Sequence, residues 1–327
     1  MAPAAELEQV SSAATGCRKR PRARPGLLPP RRLLVAGLVN LETTLRIDGF
    51  PLEYQPVHYA FHAIRSSISG VGFNLAKALT RLGNHVAFLT LLGDDASAAL
   101  AEEALRREEI ALDGALRLLS STPQSVIHYD ATGRRRIDVD LKTIQETPYP
   151  IEAARRALEG CELAVIGNIN FSRPLIAEAR RFGIPIATDL HALADPEDAY
   201  NRDYLENADI LFMSHERLPC PPEEWIARLT PLTRAGIIVI GMGGDGALLF
   251  ERKAERLERF PAVTLRPVVS TIGAGDALFS SFLHIHLETG DARRALDAAR
   301  RYAAWKIGEA GAADGLLTAK ELDALLR

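Results

Sequence analysis

A chain of 327 residues, 47% hydrophobic and 25% charged, carries enough apolar mass for one large α/β domain or two ordinary ones, and its composition excludes the disordered and fibrous classes. It contains no run of about 18 apolar residues, which excludes a membrane-spanning helix. The first 32 residues hold seven basic side chains against two glutamates, a net +5, so the −3 of the whole chain leaves −8 on the remainder; so acidic a body excludes a nucleic-acid-binding surface.

Residues 1–32 are rich in Ala, Pro, Ser and Arg and lack apolar periodicity, so a disordered basic tail is expected there. Order begins with the continuous apolar run 33–39, which suits a strand buried on both faces of a parallel sheet. A helix is predicted at 71–82, stopped by Gly83, then a strand at 86–92 and an amphipathic helix at 97–107. Short apolar runs at 163–166, 184–187, 210–213 and 237–240 have strand length. Helical segments at 152–158, 174–182, 198–206 and 223–234 separate them. Strands alternating with helices indicate a doubly wound, mostly parallel sheet with helices on both faces. Two stretches break the alternation. Residues 43–68 hold short β-prone pieces at 44–47 and 57–61, and residues 124–140 read as a hairpin turning at Asp130–Gly133. Both fit a small antiparallel sheet inserted into the α/β body, either a lid over a site or surface hairpins without a role. The three cysteines, Cys17, Cys161 and Cys220, form no CxxC pair and no zinc pattern, and a reducing, cytoplasmic compartment is the simple expectation.

Three segments carry the chemistry. The first, Ser270-Thr271-Ile272-Gly273-Ala274-Gly275-Asp276, follows the apolar pair Val268-Val269 and opens a helix running to about residue 287. Glycines there permit a tight turn, and the helix start offers unpaired N–H groups and a positive dipole end to an anion such as a phosphoryl group. Asp276, in the first helical turn, is placed to take a proton from an attacking hydroxyl. Alone, the segment reads equally well as a glycine-rich loop with Asp at a position helices favour anyway. The second segment is Ser69-Gly70-Val71-Gly72-Phe73-Asn74, also at a helix start, where Asn74 offers both a donor and an acceptor. The third is Gly37 to Glu42 at the end of the first strand; Asn40 and Glu42 alternate onto one side and can grip a polyol.

Together these segments resemble the ribokinase-like (phosphofructokinase-B-type) family of carbohydrate and nucleoside kinases over residues 33–327. The resemblance implies a doubly wound α/β kinase domain with a small β lid, made by insertions at about 43–68 and 124–140. It implies phosphoryl transfer from ATP, with Mg2+, to a hydroxymethyl group of a small sugar; a nucleoside kinase or a catalytically weak binding protein of the same fold are the alternatives. By the same resemblance Asp276 is the base, and the N–H groups of Gly273, Ala274 and Gly275 form an anion hole. Asn40, Glu42, Gly70, Gly72 and Asn74 meet the substrate. Thr271 and the Gly241-Met242-Gly243-Gly244-Asp245-Gly246 loop lie beside the nucleotide. That loop also spells a dinucleotide fingerprint, but residues 247–250 continue as a strand, not a helix.

The chain departs from the family pattern at three places. Ser270 stands where the family carries an Asp that helps bind an activating monovalent cation, so potassium activation is not carried over. The magnesium-linked N-x-x-E segment falls at Ser214-His215-Glu216-Arg217, leaving Glu216 one place from the expected acid as the candidate metal contact. Glu42 replaces an Asp. Of the remaining residues, His284 and His286 lie two apart on a helix, facing different sides, which favours core or surface histidines over a metal pair. His58, Tyr59, Phe61 and His62 stack on a substrate ring, join two lids in a homodimer, or simply pack within the lid. Arg134, Arg135 and Arg136 either meet a phosphorylated substrate or flank a solvated turn.

Overall fold

The computed structural model describes residues 30–327, and the expected tail lies almost entirely outside the described residues. The chain opens with β1 (Arg32–Ala36), in which Leu33, Leu34 and Val35 have no exposed surface. It then leaves for β2 (Asn40–Arg46) and β3 (Ile64–Ser69), and returns through α1 (Val71–Arg81), β4 (His85–Gly93), α2 (Ala96–Arg107) and β5 (Ala115–Leu119). Asp95 starts α2 as a cap, its carboxylate accepting from the Ala98 amide at 2.8 Å. A hairpin follows, β6 (Gln124–Tyr129) and β7 (Arg135–Asp140). Its turn is held by the Asp130 carboxylate, which accepts from the Thr132 and Arg134 amides. The chain then alternates through α3 (Ile151–Leu158), β8 (Leu163–Ile166), α4 (Pro174–Arg181), β9 (Ile186–Ala192), α5 (Arg202–Asn207), β10 (Ile210–Ser214), α6 (Pro222–Leu229) and β11 (Ile237–Gly241). Two antiparallel strands, β12 (Ala247–Glu251) and β13 (Arg256–Phe260), precede α7 (Ala274–Thr289), α8 (Ala292–Lys306) and α9 (Ala319–Leu326).

Nine strands form one sheet in the order β13-β12-β11-β10-β9-β8-β1-β4-β5, parallel except where β12 pairs with β11 and β13. Alternate residues face opposite sides, so each strand feeds two cores. Leu33, Val35, Phe88, Phe212 and Val239 pack with Phe73, Phe279, Phe282 and Tyr302 from α1, α7 and α8. Leu34, Leu89, Leu211 and Ile238 pack on the other face with Leu158, Leu175, Leu205 and Trp225 from α3 to α6. Strand order reverses at β1, whose two neighbours are β4 and β8, and sheets of this kind bind ligands outside the carboxyl ends of the strands at such a point. A second sheet, order β3-β2-β6-β7, is built from the two stretches that broke the alternation.

Several expectations are corrected. Arg32 opens β1, so order begins before Leu33. The small sheet is mixed, because β2 runs parallel to β6. Residues 57–61 form no strand; the partner of β2 is Ile64–Ser69, whose residues register one by one against it, while Tyr59 and Phe61 are largely exposed. Val268 and Val269, the apolar pair before the glycine segment, are exposed loop residues. Helix α6 stops at Leu229, where the 230–234 stretch turns so that Thr233 can bond the Leu205 carbonyl.

Candidate active site

The start of α7 is fixed by a single backbone requirement. Gly273 has φ of +79°, and a Cβ there would run into the Ala312 carbonyl, so no other residue fits without displacing the loop. Of the three amides expected to form an anion hole, that of Ala274 already donates to the Thr271 carbonyl at 3.2 Å. Those of Gly273 and Gly275 have no backbone acceptor, and a Cβ at Gly275 would meet only open space. Two free amides at a helix N-terminus, under open space, make a site suited to an anion.

The first turn of α7 is joined to the first turn of α1. The Asn74 amide donates to the Asp276 carboxylate at 2.7 Å across 202 residues of sequence. Asn74 is held there because α1 presses on the end of β1: a Cβ at Gly37 would lie 2.7 Å from the Gly72 Cα, so both positions need glycine. Gly72 therefore serves this close approach, and Gly70, at φ of +103°, turns the chain from β3 into α1. Burial pushes Asp276 up to about 6, against the pull of the Asn74 hydrogen bond and of His191, while Asp189 adds to the rise. A carboxylate poised near neutrality suits a general base.

Asn40 and Glu42 lie on one face of β2, as their alternation requires, and both are buried. They belong to the small sheet, not to the end of β1. Register places Glu42 beside Ser67 on β3 and Ser125 on β6, and the Asn40 amide donates to Ser125 Oγ at 2.8 Å. Asn40 Oδ1, Glu42 Oε1 and Asn74 Oδ1 are buried without a hydrogen-bond partner in the protein. Unpaired buried acceptors are costly, and hydroxyl groups are what would satisfy them. Burial also raises Glu42 above its ordinary value. On the same face β7 contributes Arg135, Ile137 and Val139, opposite Tyr129, Ile127 and Ser125. The face is thus polar along β2 and β3, while β7 adds the apolar Ile137 and Val139 beside the charged Arg135.

Across the cleft the Gly241–Gly246 loop connects β11 to β12, with Gly243 and Gly244 exposed. Gly246, at φ of +95°, lies where a Cβ would strike the Phe260 carbonyl. His215 donates its backbone N–H to the Gly241 carbonyl at 3.0 Å, so the ends of β10 and β11 share this edge. Thr271 is exposed, and its hydroxyl accepts from Arg135 Nη1 at 2.6 Å. Glu216 faces Arg135 at 3.5 Å and no second carboxylate. Among the described residues no group of three or more His, Cys, Asp or Glu side chains is gathered to hold a metal ion.

Two side chains that sequence reading passed over stand near Asp276. Asp189 and His191, at the end of β9, both act on its charge, and His191 takes a left-handed backbone at φ of +57°, rare outside glycine and Asn/Asp. Polar residues directly after an apolar run, at the carboxyl end of a parallel strand, were the available signal. His284 is buried and His286 half-buried: His284 Nδ1 meets the Asn84 amide at 3.2 Å, and burial holds both imidazoles below their ordinary value.

Comparison with known proteins identifies the fold and family. The family model described as pfkB family carbohydrate kinase matches residues 31–158 and 204–319. The acarbose 7(IV)-phosphotransferase of Actinoplanes sp. is 27% identical over 262 residues, covering 78% of this chain and 85% of that protein. The ATP-dependent ribose-1-phosphate kinase of Halopiger xanaduensis is 27% identical over 293 residues, covering 86% and 93%. The solved structure of a microbiome-derived acarbose kinase superposes with a TM-score of 0.81 at 25% identity, covering 92% of this chain and all of that one. An open sheet with helices on both faces, a small second sheet and a glycine-lined helix start thus define an enzyme of the sugar and nucleoside kinase class. The chain belongs to the pfkB family of carbohydrate kinases.

Proposed function

We propose that the protein phosphorylates a hydroxymethyl group of a sugar-like substrate held between the small sheet and the start of α7, with ATP carrying its magnesium ion as the phosphoryl donor. The observation that carries this reading is the Asn74–Asp276 hydrogen bond, set beside three unpaired buried acceptors on Asn40, Glu42 and Asn74. Substrate hydroxyls bond to those acceptors, which aligns the reacting hydroxyl with Asp276. Asp276 takes the proton as the hydroxyl attacks, and the amides of Gly273 and Gly275, at the positive end of α7, stabilise charge on the transferring group. The exposed glycines of the 241–246 loop and Thr271 border the nucleotide. The small sheet acts as the lid and excludes water from the cleft.

A phosphorylated substrate is the second reading, favoured by Arg135, whose guanidinium reaches from the lid to Thr271 at the mouth of the site. The named activities of the relatives, acarbose phosphotransferase and ribose-1-phosphate kinase, span both readings. We place the reaction in the cytoplasm, where ATP is at hand; no helix among the described residues is long and apolar enough to cross a membrane. The exposed Tyr54, Tyr59 and Phe61 support pairing of two lids in a homodimer, which sedimentation would show. Incubation with ATP and magnesium over a panel of acarbose, ribose, ribose 1-phosphate and inosine tests the function. A phosphorylated product from at least one acceptor, lost in Asp276→Asn, is the expected result. Product formed equally by that variant would refute it.

A further inference from the structure

Among the described residues one lysine or arginine alone is fully buried: Lys306, the last residue of α8, with no exposed surface. No carboxylate hydrogen-bonds to it. Its Nζ donates to two backbone carbonyls, Ile272 at 3.1 Å and Gly311 at 2.8 Å. These carbonyls belong to two different loops. Ile272 immediately precedes Gly273 at the anion-binding start of α7. Gly311 immediately precedes Ala312, whose carbonyl is the atom that forbids a side chain at Gly273.

Two carbonyl oxygens aimed at one buried point repel each other unless a shared donor lies between them, and an ammonium draws them together by charge as well as by hydrogen bonds. Desolvating that cation is expensive, so its retention here calls for a return. The surroundings supply part of it. Burial lowers the Lys306 pKa, while Asp314, Asp276 and Glu309 favour the charged form and Arg266 opposes it. Asp314 extends the clamp by accepting from the Gly311 amide at 3.2 Å and from Arg65 of β3 at 2.6 Å. Ile272 and Ala312 pack with Ile127 of β6, so the two loops are also pinned to the small sheet.

Resting on the phosphoryl-transfer reading above, we infer that Lys306 is a built-in monovalent cation of the catalytic loop: its ammonium gathers the Ile272 and Gly311 carbonyls, fixes the anion hole of α7, and makes turnover independent of any free monovalent cation. Backbone carbonyls are the ligands that replace the hydration shell of potassium, and here a tethered ammonium takes them instead. Lys306 is thus a positioning residue: it acts through the 270–276 loop and not on the substrate. Its charge also adds to the positive field that the helix start presents to a phosphoryl group.

Substitution combined with cation rescue tests this. The unmodified protein is expected to show the same melting temperature and the same initial rate in sodium, potassium or ammonium chloride at matched ionic strength. Lys306→Ala leaves a small pocket lined by carbonyls, and its kcat is expected to fall by on the order of 100-fold, as when one stabilising donor is lost, with the KM for the acceptor little changed. Ammonium, methylammonium or potassium restores about a tenth or more of the lost rate and raises the variant's melting temperature; choline, too large for the pocket, does neither. Lys306→Gln keeps hydrogen-bond donors but no charge, and keeps the fold measurable if the alanine variant does not fold. Its kcat is expected to stay low. Potassium stimulation of the unmodified protein, near-normal kcat in Lys306→Gln, or an alanine variant indifferent to every small cation would each overturn the inference. The melting-temperature arm needs no acceptor, so it tests whether the Lys306 ammonium holds the two loops together even if no sugar in the panel is phosphorylated.

Discussion

β1 and β7 are strands of five and six residues with opposite fates. In β1 every residue after Arg32 is buried, because helices cover both faces of the large sheet. In β7 every residue is exposed, because one face of the small sheet looks into the cleft and its edge is uncovered. The residues proposed to function divide along the same line. Asp276, Asn74 and Lys306 hang from helices of the large body, where packing fixes them. The residues that would meet the distal part of a substrate, Arg135, Ile137 and Val139, sit on the strand with least to lose on substitution. On the proposed reading, chemistry is anchored where packing is tight, and acceptor choice is carried on an exposed strand.

The largest effect should come from the body side of this division. Asp276→Asn is expected to lower kcat by roughly 100- to 10,000-fold, the usual worth of a general base, with nucleotide affinity little changed in calorimetry. Its stability should move the other way. The Asp276 pKa is raised in the folded protein, to about 6, so the stability it contributes is full below the ordinary Asp value and lost as pH rises through about 6. Removing the charge should then raise the melting temperature near pH 8 by a few degrees, on the order of 1 kcal/mol. Next comes Trp225→Ala, which empties a fully buried site under the large sheet and should cost about 3–5 kcal/mol in denaturant unfolding. Glu42→Gln, at the root of the small sheet, should raise the acceptor KM by about tenfold through a lost charged acceptor, an effect of about 1.5 kcal/mol, and leave kcat for bound substrate within a few-fold. Smallest is Ile137→Ser on β7: stability within about 0.5 kcal/mol of the parent, with an altered preference among acceptors. A large loss of stability from Ile137→Ser would erase the proposed contrast between the two sheets.

The large sheet was legible because buried parallel strands write themselves as continuous apolar runs, and 163–166 matches its strand to the residue. The small sheet was legible in place but not in detail. Ile64-Arg65-Ser66-Ser67 carries no hydrophobic alternation, since its inward residues are polar and serve the cleft, whereas Tyr59 and Phe61 mimic a strand without a partner. The two glycine segments predicted each end of the Asn74–Asp276 bond, but not that they meet, because the contact spans 202 residues. That the Ala274 amide bonds to the Thr271 carbonyl, and so is not free for an anion, is a matter of backbone torsion that residue identities do not encode. Lys306 was invisible: one lysine at the end of an alanine- and arginine-rich helix reads as a solvated C-terminal charge, and only the fold of 308–315 over it reveals a buried cation.

Asp276, raised towards neutrality by burial and oriented by the Asn74 hydrogen bond, is proposed to remove the proton from the acceptor. The pH dependence of kcat/KM for the acceptor, at saturating ATP and magnesium, tests it most directly. The carboxylate is the active form, so the rate should be level above about pH 7 and fall towards tenfold per unit below the pKa of about 6. A rate that stays level down to about pH 5 would place the base at an ordinary exposed carboxylate and contradict the assignment.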